Sequence, residues 1–191
     1  MKKTKLIPTM DWIIKDTNIL LREKSNIVIF PLKENEEDIV NKMVCYIDSS
    51  YNEEAKKNKI TPGIAIAAIQ MGLKKRIIYA NFISENNEQV KFLLANPKIV
   101  GYSPIYAFLK AGEGCLSDTM PHEGQVLRRN KIIVEAIDML DNNNLKKISF
   151  EGTSAICMQH EIDHLNGMLY YDHISKTKPF IDNSEKKHIE Y

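Results

Sequence analysis

The chain has 191 residues, with 26 Lys and Arg against 25 Asp and Glu, for a formal net charge of +1. That balance gives no argument for nucleic acid or an anionic membrane as partner, and no apolar run is long enough to span a bilayer. The length is most simply read as one domain, 1–191, large enough to bury a good core.

Met1-Lys2-Lys3 opens the chain, but Pro8, Asp11 and Lys15 interrupt any signal-peptide core, so a cytoplasmic protein is expected. The basic pairs Lys2-Lys3, Lys74-Lys75 and Arg128-Arg129 are scattered and read as solvated surface. Residues 32–51 read as an amphipathic helix, because Ile39, Val40, Met43, Val44 and Ile47 recur at helical spacing among charges. Cys45 lies in that stretch and reads as a small buried hydrophobe. The run from Gly63 to Gln70 is small and apolar, a pattern shared by buried strands and helix starts. No GK[ST] follows it, which excludes a phosphate loop. Strand-like runs follow at 76–80, 90–95, 105–109, 131–139 and 145–150, the last two joined by the turn signal Asp141-Asn142-Asn143-Asn144 as a hairpin. From Ser175 onward the tail is polar, with Phe180 and Ile189 as isolated anchors. The order helix, strands, helix predicts an α+β fold with antiparallel sheets packed around a central helix.

That helix carries the most informative stretch, His160-Glu161-Ile162-Asp163-His164. Positions i and i+4 share a helix face, so the two histidines can hold one metal between them. Glu161 lies about 100° around the same helix, near the open side of such an ion, where a general base works. Composition alone predicts roughly 0.01 matches to HExxH in a chain like this. The flanking sequence AICMQHEIDHL has helical periodicity, with Gly152-Thr153-Ser154 to cap its start and Gly167 to stop it.

A catalytic site of this kind needs a third protein ligand and an open position. Tyr170, at the position where HExxHxxGxxH would supply a histidine, is a poor ligand. Glu185 is available but sits in the polar tail. Cys157 lies one turn before His160 on the same face, and serves equally well as ligand or as a small residue packed under the site. Three widely spaced cysteines in a cytosolic chain favour metal binding or catalysis over disulfides. Cys115 is the stronger candidate: it sits in Gly112-Glu113-Gly114-Cys115-Leu116-Ser117, a glycine-flanked loop that lets backbone approach a metal closely.

GIAIAAIQ at 63–70, EGCLS at 113–117 and QHEIDHLNG at 159–167, in that order, resemble the three signature motifs of peptide deformylases. The resemblance extends to LANPKIV at 94–100 and MLYYDHI at 168–174, and covers roughly 11–174. The spacing between the first two motifs is similar to that of the longer, type 2 bacterial subclass. The resemblance implies that Cys115, His160 and His164 bind one divalent metal and that Glu161 is the general acid/base. It implies Gln70 and the Leu116 N–H as oxyanion donors, and Gly63, Ile64 and Gly114 alongside the bound peptide. Ile156 and Cys157 would wall the methionine pocket, and Arg128 would pair with Glu113. Two positions depart from the family's first motif, GxGφAAPQ: Ala65 stands at its second glycine and Ile69 at its proline. The added methyl at Ala65 bears on peptide binding rather than on chemistry.

The activity so implied is removal of formyl from N-formyl-methionyl peptides, with metal-bound water attacking the formyl carbon and formate released. Ferrous iron is the expected ion, and zinc, nickel or cobalt suit a thiolate and two imidazoles. Nascent formyl-methionyl chains near the ribosome are the expected partner, and a monomer is expected. A zinc endopeptidase built on HExxH and a closed structural metal site are the rivals. The second would need His173 or Cys157 as a fourth ligand.

Overall fold

In a computed structural model of the chain, the residues described are 6–51, 53–84 and 87–191. The opening Met1-Lys2-Lys3 lies outside them. The first helix, α1, spans Glu34–Ser49. Glu34, Glu36 and Glu37 crowd its first turn, where carboxylates complement the helix dipole. Val40, Met43 and Ile47 form its buried stripe. Cys45 is half-buried rather than a core residue, with its Sγ 3.6 Å from the Leu6 carbonyl oxygen. Two positions past Met43, it is turned about 200° from the stripe. A short helix, α2 (Glu54–Asn58), follows.

The strands are β1 (Ala65–Ala67), β2 (Ile77–Ile83), β3 (Gln89–Tyr102), β4 (Tyr106–Phe108), β5 (Arg128–Arg129), β6 (Lys131–Asp138), β7 (Asn144–Glu151) and β8 (Ile189–Glu190). A five-stranded antiparallel sheet runs β1-β2-β3-β6-β7. The expected hairpin is present, with Lys131 opposite Glu151 at one end and Asp138 opposite Asn144 at the other. Its turn places Asn142 and Asn143 at φ 49° and 59°, a region asparagine tolerates better than most residues.

Both faces of this sheet are covered, which explains why β2 reads as a continuous apolar run. Ile78, Ala80, Leu94, Ile132, Val134 and Phe150 pack against Ala155, Met158, Ile162 and Leu165 of a third helix, α3 (Thr153–Leu165). Side chains alternate along a strand, so Ile77, Tyr79, Leu93 and Ala95 point the other way and meet Met43, Tyr46 and Ile47 of α1. The architecture is α+β with antiparallel sheets.

Several features differ from the sequence reading. The strand expected at 90–95 continues to Tyr102 through a bulge between Ala95 and Lys98. Pro97 cannot donate to the ladder and sits inside that irregularity. The smaller sheet, β5-β4-β8, contains one parallel pair, because the tail returns along β4. Phe180, expected as an anchor, is 61% exposed. The tail is held by backbone instead: Gln125 N–H donates to the Pro179 carbonyl at 2.8 Å and Tyr191 N–H to the Phe108 carbonyl at 3.0 Å. The Tyr191 hydroxyl donates to Asn130 Oδ1 at 2.9 Å.

Asn96 ties the N-terminal segment to the bulge. At φ 54°, it accepts the Val28 N–H at 2.7 Å through Oδ1 and donates from Nδ2 to the Val28 carbonyl at 3.1 Å. Aspartate has the same size but no donor. Asn96→Asp should therefore lose about 1–3 kcal/mol, the cost of stranding a buried carbonyl, in urea unfolding followed by circular dichroism. Unchanged stability would show that the Val28 clamp contributes nothing.

Candidate active site

Helix α3 begins after Gly152 and places His160 and His164 one turn apart, their ring centroids 4.9 Å from each other. Ser154 secures its start, donating from Oγ to the Glu151 carbonyl at 2.8 Å. Gly167 stops the chain at φ 75°, where a Cβ would run into the Arg22 carbonyl. Cys115 arrives on the loop that follows β4, and its Sγ lies 3.2 Å from His164 Nε2. One sulfur and two imidazole nitrogens from Cys115, His160 and His164 all lie within 4.8 Å of one another. A four-coordinate ion with metal–ligand distances of about 2.0–2.3 Å spaces its ligands about 3–4 Å apart, so this donor set fits one divalent ion.

The surroundings hold these donors in place. His160 Nδ1 lies 2.8 Å from Glu113 Oε2. The same carboxylate accepts Arg128 Nε at 2.8 Å and Nη2 at 3.0 Å. Arg128 also donates through Nη1 to Asp163, whose Oδ2 lies 2.9 Å from His173 Nε2. Burial opposes ionisation of Glu113, but its bonds to His160 and Arg128 prevail and bring its pKa down to about 2. Burial and the neighbouring His160 hold His164 below the usual imidazole range, the neutral form a metal needs. Burial also draws His160 down, yet its bonds to Cys115 and Glu113 leave it above that range.

Glu161 is buried beside the cluster, and its Oε2 has no hydrogen-bond partner among the described residues. Burial pushes its pKa up to about 7, with His160 and the Ala67 main chain acting against that rise. Gln70 sits in the 3-10 turn Ala68–Met71 after β1. Its Oε1 accepts the Ala67 N–H at 2.8 Å, which turns Nε2 toward Ser117 Oγ at 3.1 Å and Cys115 Sγ at 3.5 Å.

A cavity of about 550 Å³ opens onto these groups. Gly63, Ile64, Ala65, Gln70, Gly114, Cys115, Leu116, Ile156, Cys157, His160 and Glu161 all contribute to its wall. A Cβ built at Gly114 would meet nothing within 4 Å, and one at Gly63 would meet the Leu116 side chain at 2.8 Å. Ala65 borders the cavity, so its methyl bears on what lies there, whereas Ile69 is fully buried in the core beside Leu21.

Among the described residues, the other ligand candidates lie outside this donor group. Cys157 is cavity wall, His173 is engaged with Asp163, and Glu185 pairs with Lys187 in the tail. Ser117, Tyr170 and Asp163 went unread as site residues. Ser117 is fully buried against Gln70. Tyr170 stacks on His160 with centroids 5.6 Å apart and donates to Asp118 Oδ2 at 3.0 Å. Spacing carried a signal for Asp163, one position before a histidine, but its partner Arg128 is 35 residues away in the chain.

The geometry agrees with what the chain is similar to. The family described as polypeptide deformylase matches residues 10–180. The peptide deformylase of Malacoplasma penetrans (strain HF-2) is 41% identical over 178 residues, 92% of this chain and 94% of that protein. The crystal structure of a probable peptide deformylase from Synechococcus phage S-SSM7 superposes with a TM-score of 0.67 at 32% identity, covering 84% of this chain and 97% of that one. Peptide deformylase from Ehrlichia chaffeensis, solved in complex with actinonin, gives 0.68 at 30% identity and covers 92% of each chain. A sulfur and two imidazoles, convergent on one point and embedded in a chain with these relatives, leave one conclusion: the protein belongs to the peptide deformylase family and is a hydrolase of that metal-dependent class.

Proposed function

We propose that residues 1–191 act as a single catalytic domain that removes the formyl group from N-formyl-methionyl peptides, releasing formate. The observation that carries this reading is the three-donor group of Cys115, His160 and His164 beside a buried Glu161 and an amide aimed at the same space. Cys115 Sγ and the two imidazoles would hold the ion, ferrous iron in the cell with zinc, nickel or cobalt as substitutes. Such an ion supplies Lewis acidity and a water of lowered pKa.

The protein's own residues do the rest. Glu161 accepts the proton of the attacking water and returns it to the departing amine, so the free N-terminus leaves neutral. Gln70 Nε2 and the Leu116 N–H donate to the oxyanion as it forms. The Leu116 N–H has no acceptor among the described residues. Gly63, Ile64 and Gly114 lie alongside the peptide main chain, and Ile156 and Cys157 wall the methionine side chain. Glu113 fixes the orientation of His160, and Arg128 fixes Glu113, the outer-shell arrangement that metal-bound histidines need. The substrate is a nascent chain close to the ribosome.

Cys115→Ala should abolish tight metal binding while Cys157→Ala retains one ion per chain, as measured by plasma emission after gel filtration. The reverse pattern would exchange the roles of the two thiols. Glu161→Gln should keep the metal and lose a factor on the order of 10² or more in turnover, the scale of a positioned general base. Loss of the ion together with the carboxylate would make Glu161 a ligand instead.

The test of the activity itself is acyl selectivity. The acyl carbon sits between the cluster, Gln70 and the Cys115-Leu116 main chain, where formyl carries only hydrogen and acetyl adds a methyl. Overpacking costs about 1–3 kcal/mol, and a displaced reacting carbon costs more in rate. Formyl-Met-Ala-Ser should be hydrolysed far faster than acetyl-Met-Ala-Ser, with no cut at the internal Met-Ala bond, by mass spectrometry. Comparable rates, or internal fragments, would favour a general amidase or an endopeptidase.

A further inference from the structure

A second convergence of donors lies just beyond Cys115 and takes no part in the proposed chemistry. Asp16, Asp118 and His122 each bring one donor atom within 4.8 Å of the others. They come from segments far apart in the chain. The N-terminal segment runs along the first cluster's support, with Ile14 N–H donating to the Gln70 carbonyl and Asp16 N–H to the Ser117 carbonyl, both at 2.8 Å. Lys15 Nζ adds a bond to the Leu116 carbonyl at 2.9 Å and a longer one to the Asp118 carbonyl. Asp16 is thereby delivered against the loop that carries Asp118 and His122.

Two atoms in this cluster are buried and unsatisfied. The Asp16 side chain is only 7% exposed, and its Oδ1 has no hydrogen-bond partner. His122 Nε2 is likewise buried without one, since Asp16 Oδ2 stands 3.6 Å away. Asp118 Oδ2 accepts from the Tyr170 hydroxyl at 3.0 Å and from the Cys115 N–H at 3.3 Å. The His122 ring lies against Tyr171, with centroids 3.9 Å apart. Buried polar atoms are nearly always paired, and a stranded carboxylate oxygen is costly. The Lys15 ammonium does not relieve this, because it is directed to main-chain carbonyls. A single cation between the three side chains would give the buried Asp16 carboxylate and His122 a shared partner.

We propose that Asp16, Asp118 and His122 form a second divalent-cation site, separate from the Cys115–His160–His164 group. Two carboxylates and one imidazole without sulfur suit a first-row divalent ion such as zinc. The sulfur-containing group is the softer and fills first. Asp118 and His122 line a cavity of about 660 Å³ that shares Glu113, Gly114, Cys115 and Leu116 with the cavity over the first group, which gives the ion a route in. Through Asp118 the second site also grips the Cys115 main chain.

The test uses the protein already loaded at its tight site. Equilibrium dialysis against Zn²⁺ should find two equivalents per chain in the wild type and one in Asp16→Asn and in His122→Gln. Saturation at one equivalent in the wild type overturns the site. Two equivalents retained in both variants overturn it as well, because the second ion then binds elsewhere. Co²⁺ titration of the wild type decides independently of any variant. With the tight site already filled, the added equivalent should bring ligand-field absorption and no thiolate charge-transfer band. A new thiolate band would place the ion on a cysteine and refute the assignment. Formyl-peptide hydrolysis requires only the first group, so failure here leaves the proposed function standing.

Discussion

A carboxylate sealed between a guanidinium and an imidazole has to be complete or absent. Glu113 is almost wholly buried, accepts two bonds from Arg128 and meets His160 with the second of its oxygens. Removing any one partner would leave an uncompensated charge in the interior, which is far costlier than never having buried the group. This is what gives the loop at 112–117 a single position against α3. The Cys115 side chain reaches His164 because its neighbour Glu113 is locked to His160 and Arg128 on either side. Asp163 extends the lock from the other direction, holding the third nitrogen of Arg128 and the ring of His173. The donor geometry is therefore set by an ion-pair chain crossing from β5 to α3, not by the loop's own propensity.

The same logic explains why the helix tolerates so much polarity. Gln159, His160, Glu161, Asp163 and His164 are all buried on α3, an unusual load for one helix. Ala155, Met158, Ile162 and Leu165 carry its attachment to the sheet. The opposite face of that sheet is occupied by α1, so the sheet is braced from both sides beneath the site. The rigidity that keeps two histidines and a cysteine aligned comes from this double backing.

Local pattern made α1, the β6–β7 hairpin and α3 legible, because each depends on periodicity or turn chemistry within about twenty residues. The α+β class with antiparallel sheets followed from their order. What stayed hidden depends on groups far apart in the chain. Nothing near Asn96 announces that it will clasp Val28, 68 positions earlier. Nothing in the tail's composition says that Tyr191 will reach Asn130 or that β8 will run parallel to β4. Helical geometry leaves Cys157 open as ligand or packing residue, and the glycine-flanked loop together with a family likeness favours Cys115. Among the described residues, Cys115 is the cysteine that joins the two histidines. Asp16 and Asp118, 102 positions apart in the chain, carry no local signal of the point at which the fold brings them together.

Among the described residues strand β1 is an edge, pairing with β2 on one side, and Gly63, Ile64 and Ala65, at and just before its start, form part of the cavity wall. An edge offers main-chain N–H and C=O groups, which every polypeptide can match regardless of its side chains. An enzyme with the proposed activity gains from that indifference to sequence. Such a surface would grade its clients by the start of the chain alone, and whatever follows the first residue would pass almost unread.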